Sequence, residues 1–252
     1  MPERLLAPEG ADASLEQFAH AGAEVVVEGF GSGRPFVLLH GIGMGRSVVV
    51  EIAARLPGRV IAMDLPGFGE APEPERTLTM ARHADLVAAW LRAAGVSGVC
   101  VIGHSMGSQV AAELAARHPD LVAGLVLAAP TVNRAQRRLA VQAGCLALDL
   151  IGERPLVLWR GAREYLRGGP HLLRKMRATI VHEPEQAYRR VRCPALVLRG
   201  ERDPLAPPPW CDEVVEALPD AELHTIPDHG HGTLISDAEP AARLIERFAA
   251  RL

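Results

Sequence analysis

The fold of this chain can be worked out from Val99–Ser108, which reads VCVIGHSMGS. An apolar run enters the pattern G-x-S-x-G, centred on Ser105, and the helical pattern Gln109–Arg117 follows directly. Such a tight strand-to-helix turn lifts the serine oxygen above the sheet, at a helix N-terminus where unpaired N–H groups favour negative charge. The alternative is a glycine-rich turn with a capping serine. The strand before it and the helix after it favour a nucleophile, and the flanking glycines are expected because a Cβ there would clash.

Short apolar runs on both sides of this stretch alternate with helical patterns. Leu78–Ala94 has apolar residues close to a 3.6-residue period, and Ala241–Leu252 has a similar pattern. Most predicted strands are continuous Val/Ile/Leu runs, which is typical of strands covered on both faces. The chain is therefore predicted to be α/β, with a mostly parallel sheet and helices on both faces. The predicted strands are Ala23–Glu28, Pro35–His40, Val60–Asp64, Gly98–Gly103, Gly124–Ala128, Ala195–Arg199 and Glu222–Ile226.

Three regions refine this organisation. The first 20 or so residues are weakly patterned, and we expect them to form a loose arm. The turn Gly31–Gly33 allows the first two predicted strands to pair as an antiparallel hairpin at one sheet edge. Residues 132–190 contain no convincing strand and are rich in Arg, Leu and Ala, which indicates a helical insertion between two strands. The predicted core is therefore residues 1–131 together with 191–252.

The composition excludes several classes of protein. The chain has 252 residues, with 48% hydrophobic and 23% charged residues, which is ordinary for one large globular domain. A net charge of -3 creates no strong field for nucleic acid or an anionic membrane. We find no signal peptide and no apolar run near 18 residues, so a cytoplasmic location is expected. The four cysteines form no C-x-x-C pair and are expected to be reduced thiols that pack as small hydrophobic residues.

A serine nucleophile also needs donors for the oxyanion that forms on the attacked carbonyl. The segment Leu38–Gly45, LLHGIGMG, follows a predicted strand and is too rich in glycine for regular structure. We predict that the backbone N–H groups of Ile42 and Met106 are these donors. A phosphate-binding loop is the competing interpretation. It is disfavoured because neither G-x-G-x-x-G opening a helix nor G-x-x-x-x-G-K-[ST] fits this segment.

The serine further needs a base within hydrogen-bond reach and an acid that orients the base. Each should follow a strand, because the carboxyl ends of parallel strands meet at one edge of the sheet. Asp203 follows the predicted strand Ala195–Arg199, and Glu201 on the same loop is the rival acid. His229 and His231 follow the last predicted strand. The order serine, acid, histidine matches G-x-S-x-G enzymes, but spacing alone does not choose between the two histidines.

Taken together, these pieces resemble the serine-nucleophile branch of the α/β-hydrolase superfamily, with a helical cap. The resemblance covers nearly the whole chain from about residue 23 and is carried by LLHGIG, MDLPGFGEA, VIGHSMGSQ, LRGERDP and HGHG. It implies Ser105 as nucleophile, Asp203 as acid and His231 of the Gly-His pair as base, and it leaves His229 as a loop or pocket-rim residue. It also implies that residues 132–190 form the cap. Neither a metal nor an organic cofactor is expected, since two histidines alone are weak support for zinc.

The implied activity is hydrolysis of an ester, thioester or related carbonyl substrate through an acyl-enzyme. Ser105 argues against the branch with an aspartate nucleophile. Trp159, Tyr165 and Tyr188, among the apolar residues of the insertion, indicate a small-molecule substrate with an apolar acyl group or ring. The same triad would also serve C–C bond hydrolysis or acyl transfer, and a ligand-binding member without turnover is an alternative from another class.

Two further histidines lie beside these motifs in the sequence. His40 precedes the glycine-rich loop, and we expect it to brace that loop. His104 precedes Ser105, and we expect its side chain to point away from the site as a packing residue.

Overall fold

The computed structural model describes residues 2–7, 13–142, 144–145 and 171–252. Eight strands form one sheet, in the order β1-β2-β4-β3-β5-β6-β7-β8. The pairs from β4 to β8 are all parallel, whereas β1 and β2, at one edge, are antiparallel to their neighbours. The strands are β1 (Ala13–His20), β2 (Ala23–Phe30), β3 (Pro35–Leu39), β4 (Arg59–Asp64), β5 (Val99–His104), β6 (Val122–Ala128), β7 (Ala195–Gly200) and β8 (Ala221–Ile226).

Helices cover both faces of this sheet. Side chains alternate along each strand, so that Val37 and Leu39 of β3 face one apolar layer and Phe36 and Leu38 face the other. These two layers confirm the predicted α/β fold. The α-helices that lie wholly within the described residues are α1 (Val50–Ala53), α2 (Met80–Ala93), α3 (Met106–Arg117), α4 (Leu172–Val181), α5 (Pro184–Tyr188), α6 (Pro208–Ala217) and α7 (Glu239–Ala249). Helices α2, α3 and α6 contribute to the first layer, and α1 and α7 contribute to the second.

Two predictions for the N-terminal region are wrong. Residues 13–20 are not a loose arm but form β1, which pairs with β2 across the tight turn Ala21–Gly22, where both residues have positive φ. The hairpin between the first two predicted strands is also absent, because β2 pairs with β4 and β3 lies between β4 and β5. The strand β3 is buried on both faces and belongs inside the sheet, whereas β1 has the half-exposed pattern of an edge strand.

The segment 132–190 is only partly described, because Ala143 and residues 146–170 lie outside the described residues. Its described parts contain helical turns and no strand, with α4 and α5 before β7. Of the three aromatic residues singled out in the sequence, Tyr188 is buried in α5, and Trp159 and Tyr165 lie outside the described residues. Helix α5 packs against α3. Among the described helices, none has the length and apolar content needed to cross a membrane.

Candidate active site

Ser105 occupies the strained turn between β5 and α3. Its backbone has φ 54° and ψ −119°, a conformation that residues other than glycine rarely adopt, and its N–H donates to the Ala128 carbonyl at 3.0 Å. A Cβ at Gly103 would lie 2.2 Å from the Gly107 carbonyl oxygen, and one at Gly107 would lie 2.2 Å from the Leu39 carbonyl oxygen. Both flanking glycines are therefore required by close backbone contacts.

The structure brings the three sequence-predicted side chains into one hydrogen-bonded line. The Nε2 atom of His231 lies 2.9 Å from Ser105 Oγ, and its Nδ1 atom lies 2.9 Å from Asp203 Oδ2. Asp203 is 2% exposed, His231 5% and Ser105 8%, so water has little access to the line. This arrangement has the geometry of an activated serine with an oriented base.

Asp203 is held as a charged acceptor. Burial by itself raises the pKa of this carboxyl, but the adjacent His231 ring and the hydrogen bonds to the carboxylate outweigh burial and hold the pKa below its usual range. The second oxygen, Oδ1, accepts the backbone N–H groups of Leu205 at 2.8 Å and Ala206 at 3.2 Å. The carboxylate plane is therefore fixed by backbone donors on one side while the imidazole occupies the other.

The loops after β7 and β8 are packed together at Gly200, which sequence reasoning missed. A Cβ on Gly200 would lie 2.1 Å from the Gly230 carbonyl oxygen and 2.4 Å from that of His229. The Arg202 N–H donates to the His229 carbonyl at 2.9 Å. Since these contacts join the loop of the acid to the loop of the base, a side chain at Gly200 would separate Asp203 from its histidine. A glycine closing a strand just before the acid was the available signal.

His229 points away from the serine. Its Nδ1 atom lies 2.7 Å from the Pro227 carbonyl oxygen, and its Nε2 atom lies 3.1 Å from the Asp237 carbonyl oxygen. Its ring therefore joins two backbone segments of the loop that carries His231 and stabilises that loop. In the described part of the chain, no group of three or more His, Cys, Asp or Glu side chains is placed to hold a metal ion.

His104 does not point away from the site, and the prediction for its side chain is wrong. Its Nε2 atom lies 2.8 Å from the His231 carbonyl oxygen, with the two ring centres 5.2 Å apart. Burial, followed by the neighbouring His231 ring, lowers the pKa of His104 to about 4. The ring is therefore neutral at pH 7, and its Nε2–H donates to the backbone of His231. The cause is convergence of the β5 end with the loop after β8, which spacing does not reveal.

The glycine-rich loop after β3 lies directly against the serine. A Cβ on Gly41 would lie 3.2 Å from Ser105 Cβ, and Ile42 lines the same pocket as Ser105. Met106 begins α3, where N–H groups have no carbonyl partner in the preceding turn. His40 Nδ1 lies 2.7 Å from the Gly41 carbonyl oxygen. His40 Nε2 accepts the backbone N–H of Leu65, the residue after β4, at 3.0 Å. This bonding agrees with the expected bracing role of His40.

A largely apolar pocket opens over Ser105 and His231. Its wall combines residues of the strand-end loops with residues of the segment 132–190. Besides Ser105 and His231, the polar side chains that the described residues contribute to the wall are Thr131, Gln142 and Thr179. The apolar ones are Ile42, Met44, Val132, Met176, Ile180 and Leu205.

Comparison with known proteins identifies the family of the chain. The alpha/beta hydrolase family matches residues 36–247 of the chain. The chain belongs to this family. The hydrolase is 31% identical over 227 residues to a pimeloyl-[acyl-carrier protein] methyl ester esterase of Chromobacterium violaceum, a match that covers 79% of this chain and 87% of that relative.

Solved structures show the same fold. An esterase from Thermogutta terrifontis superposes with a TM-score of 0.80 at 23% identity, covering 96% of this chain and 99% of that one. The enol-lactonase from Burkholderia xenovorans superposes with a TM-score of 0.80 at 21% identity, covering 93% and 100%. The family match and the esterase relative identify the chain as an enzyme of the hydrolase class, and these structures show that it has the same fold.

Proposed function

We propose that this hydrolase cleaves an ester, thioester or related carbonyl compound through an acyl-enzyme formed on Ser105. The observation that carries the proposal is the buried line from Ser105 Oγ to His231 and on to Asp203, with 2.9 Å at each contact. A serine hydroxyl is a weak nucleophile at neutral pH unless a base of this kind takes its proton.

The proton route follows from the two ring contacts. Because Asp203 accepts from Nδ1–H of His231, the Nε2 atom is left to take the Ser105 proton as Oγ attacks the substrate carbonyl carbon. The imidazolium then gives this proton to the departing alcohol or thiol when its bond to the acyl carbon breaks. Water then attacks the acyl carbon while His231 takes one of its protons. His231 returns that proton to Ser105 Oγ as the bond between Oγ and the acyl carbon breaks, and the carboxylic acid leaves. Asp203 stays ionised throughout and stabilises the imidazolium.

The oxyanion of each tetrahedral intermediate is assigned to the backbone N–H groups of Ile42 and Met106. One donor comes from the loop after β3 and the other from the first turn of α3, on either side of Ser105. Such donors contribute roughly 3–4 kcal/mol of transition-state stabilisation each. The scheme requires no metal or organic cofactor.

The pocket favours a small molecule with an apolar acyl group. Among the described residues, its wall is dominated by methionine and aliphatic side chains, with few polar groups to orient a substrate. We assign residues 132–190 as the cap over the core formed by 1–131 and 191–252, because residues of this segment line the pocket together with Ser105 and His231. They are Val132, Gln142, Met176, Thr179 and Ile180. Carboxylic ester chemistry agrees with the names of two similar proteins, a methyl ester esterase and an enol-lactonase.

A fluorophosphonate probe tests the nucleophile. We expect one label, on Ser105, which disappears in Ser105→Ala and persists in the matched control Ser236→Ala, a partly buried serine on the loop beyond His231. A label that survives Ser105→Ala would refute the assignment.

A panel of esters and thioesters of increasing acyl length, run with and without added alcohol, then defines the reaction. Ester product in place of free acid would indicate acyl transfer, and labelling without any turnover would favour the ligand-binding alternative.

A further inference from the structure

Lys175 is the only lysine of the chain, and it is buried in α4 against the loop that follows β4. Its side chain is 5% exposed. The ammonium donates to the Gly67 carbonyl and to the Glu73 carboxylate, and it lies 4.6 Å from the centre of the Phe68 ring. We call Gly67, Phe68 and Glu73 the lysine socket.

The socket is shaped for the ammonium group. Gly67 has φ +77°, and a Cβ there would lie 2.7 Å from Lys175 Nζ and 2.5 Å from Glu73 Oε2. Glycine is therefore the residue that leaves room for both charges. A buried ammonium costs several kcal/mol unless it is paired and hydrogen-bonded. Here a carboxylate, a carbonyl and an aromatic face together offset that cost.

A second attachment lies one helical turn further along α4. The Thr179 hydroxyl donates to the Lys175 carbonyl at 3.0 Å, and the Thr179 carbonyl accepts from Gln109 Nε2 at 3.2 Å. Gln109 belongs to α3, which begins beside Ser105. Lys175, through its ammonium group, and Thr179, through its backbone carbonyl, therefore fasten two successive turns of α4 to the core.

The neighbouring face of α4 belongs to the pocket. Met176 and Ile180, each one residue after an attachment point, line the pocket over Ser105. A rotation of α4 about its axis would therefore move both side chains relative to the serine. The lysine socket sets that rotation.

We propose that Lys175 is a positioning residue that sets the apolar wall of the pocket and thereby its preference for acyl length. It touches no reacting atom. The anchoring of α4 stands on the contacts of Lys175 alone, whereas the effect on acyl preference rests on the proposed function.

The test is Lys175→Met, which keeps a long apolar stem and removes the charge. For the longest acyl ester that the parent enzyme accepts well, we expect KM to rise about tenfold while kcat changes less than about threefold. Preference among acyl lengths should flatten, and backbone amides of 172–181 should exchange with deuterium faster. Lys175→Arg, which keeps the charge, should recover part of the loss. Arg174→Met, an exposed cation on the same helix, is the matched control and should match the parent protein.

Several results would overturn the proposal. These are an unchanged KM profile with unchanged exchange in Lys175→Met, a fall in kcat with no change in KM, and an equal effect in Arg174→Met. If Lys175→Met does not fold, Glu73→Gln weakens the same socket and should show the same KM shift and faster exchange; a parent-like Glu73→Gln would refute the role. If the parent protein shows no turnover dependent on Ser105, the proposed function fails, and faster exchange in Lys175→Met still supports the anchor while unchanged exchange refutes it.

Discussion

The two walls of the pocket are built in different ways. The first is the proposed catalytic wall, which consists of Ser105 and His231, both of which line the pocket, and of Asp203, which bonds to His231. These residues stand on loops at strand ends, and backbone hydrogen bonds and close glycine contacts fix each loop. The opposite wall, Met176 and Ile180, stands on a helix outside the sheet, held by side-chain contacts. Proton transfer depends on distance and angle and needs the first kind of support, whereas apolar selection needs only volume and surface.

The two histidines of the loop after β8 provide the largest expected contrast. His231→Ala removes the base and should lower kcat by roughly 10⁴ to 10⁶-fold, whereas His229→Ala should stay within about tenfold of the parent enzyme, because its ring only staples the loop. Steady-state kinetics of both variants on one ester decides this. A large loss in His229→Ala with activity retained in His231→Ala would reverse the assignment of the base.

The two acids of the loop after β7 give the next contrast. Asp203→Asn keeps the shape but removes the charged acceptor for Nδ1–H, and kcat should fall about 10⁴-fold. Glu201→Gln alters an exposed carboxylate whose Oε2 accepts the Asp228 N–H, and it should leave kcat nearly unchanged. Equal losses in the two variants would mean that loop stability, not the charge of Asp203, is being measured.

The free energy of unfolding should also fall in acid because of His104. The pKa of this ring is about 4 in the folded protein against about 6.5 in the unfolded chain, so the unfolded state binds more protons between these values. The contribution of the neutral His104 ring to the free energy of unfolding is complete above pH 6.5 and is lost as the pH falls towards 4. At pH 4.5 the loss is about 2 to 3 kcal/mol. Urea unfolding at pH 4.5 and 7.5 measures the loss, which should be smaller in His104→Asn. An equal loss in that variant would contradict the assignment.

The smallest expected effect is a change in kcat/KM when a side chain of the apolar wall is shortened. Ile180→Ala should lower kcat/KM for a long acyl ester by about tenfold and leave a short one nearly unchanged, because only the longer chain reaches this side chain. Val181 is the next residue and is 65% exposed, so Val181→Ala is the matched control and should not alter either value. A loss independent of acyl length in Ile180→Ala would show that the wall supports folding rather than selection.

Most of the sheet could be predicted because its inner strands are buried on both faces and therefore appear as continuous apolar runs. The edge strand β1 escaped prediction, since a strand covered on one side mixes polar and apolar residues. The start of α3 was placed at Gln109 rather than Met106, because the first turn of the helix is also the end of the glycine motif and shows no helical period. The pairing of β2 with β4 rather than with β3 could not be predicted either, because the residues of one strand do not determine which strand it pairs with.

The amino-acid sequence by itself determined which residues could do chemistry. The G-x-S-x-G turn is local, and the order of strands places Ser105, Asp203 and a histidine on loops at one edge of the sheet. Tertiary structure decided which histidine ring reaches Ser105, that His104 bonds to the backbone of His231, and that Gly200 lets two loops meet. Those outcomes depend on distances between residues far apart in the chain, which only the packed sheet defines. The same is true of Lys175, whose socket lies about a hundred residues away in sequence.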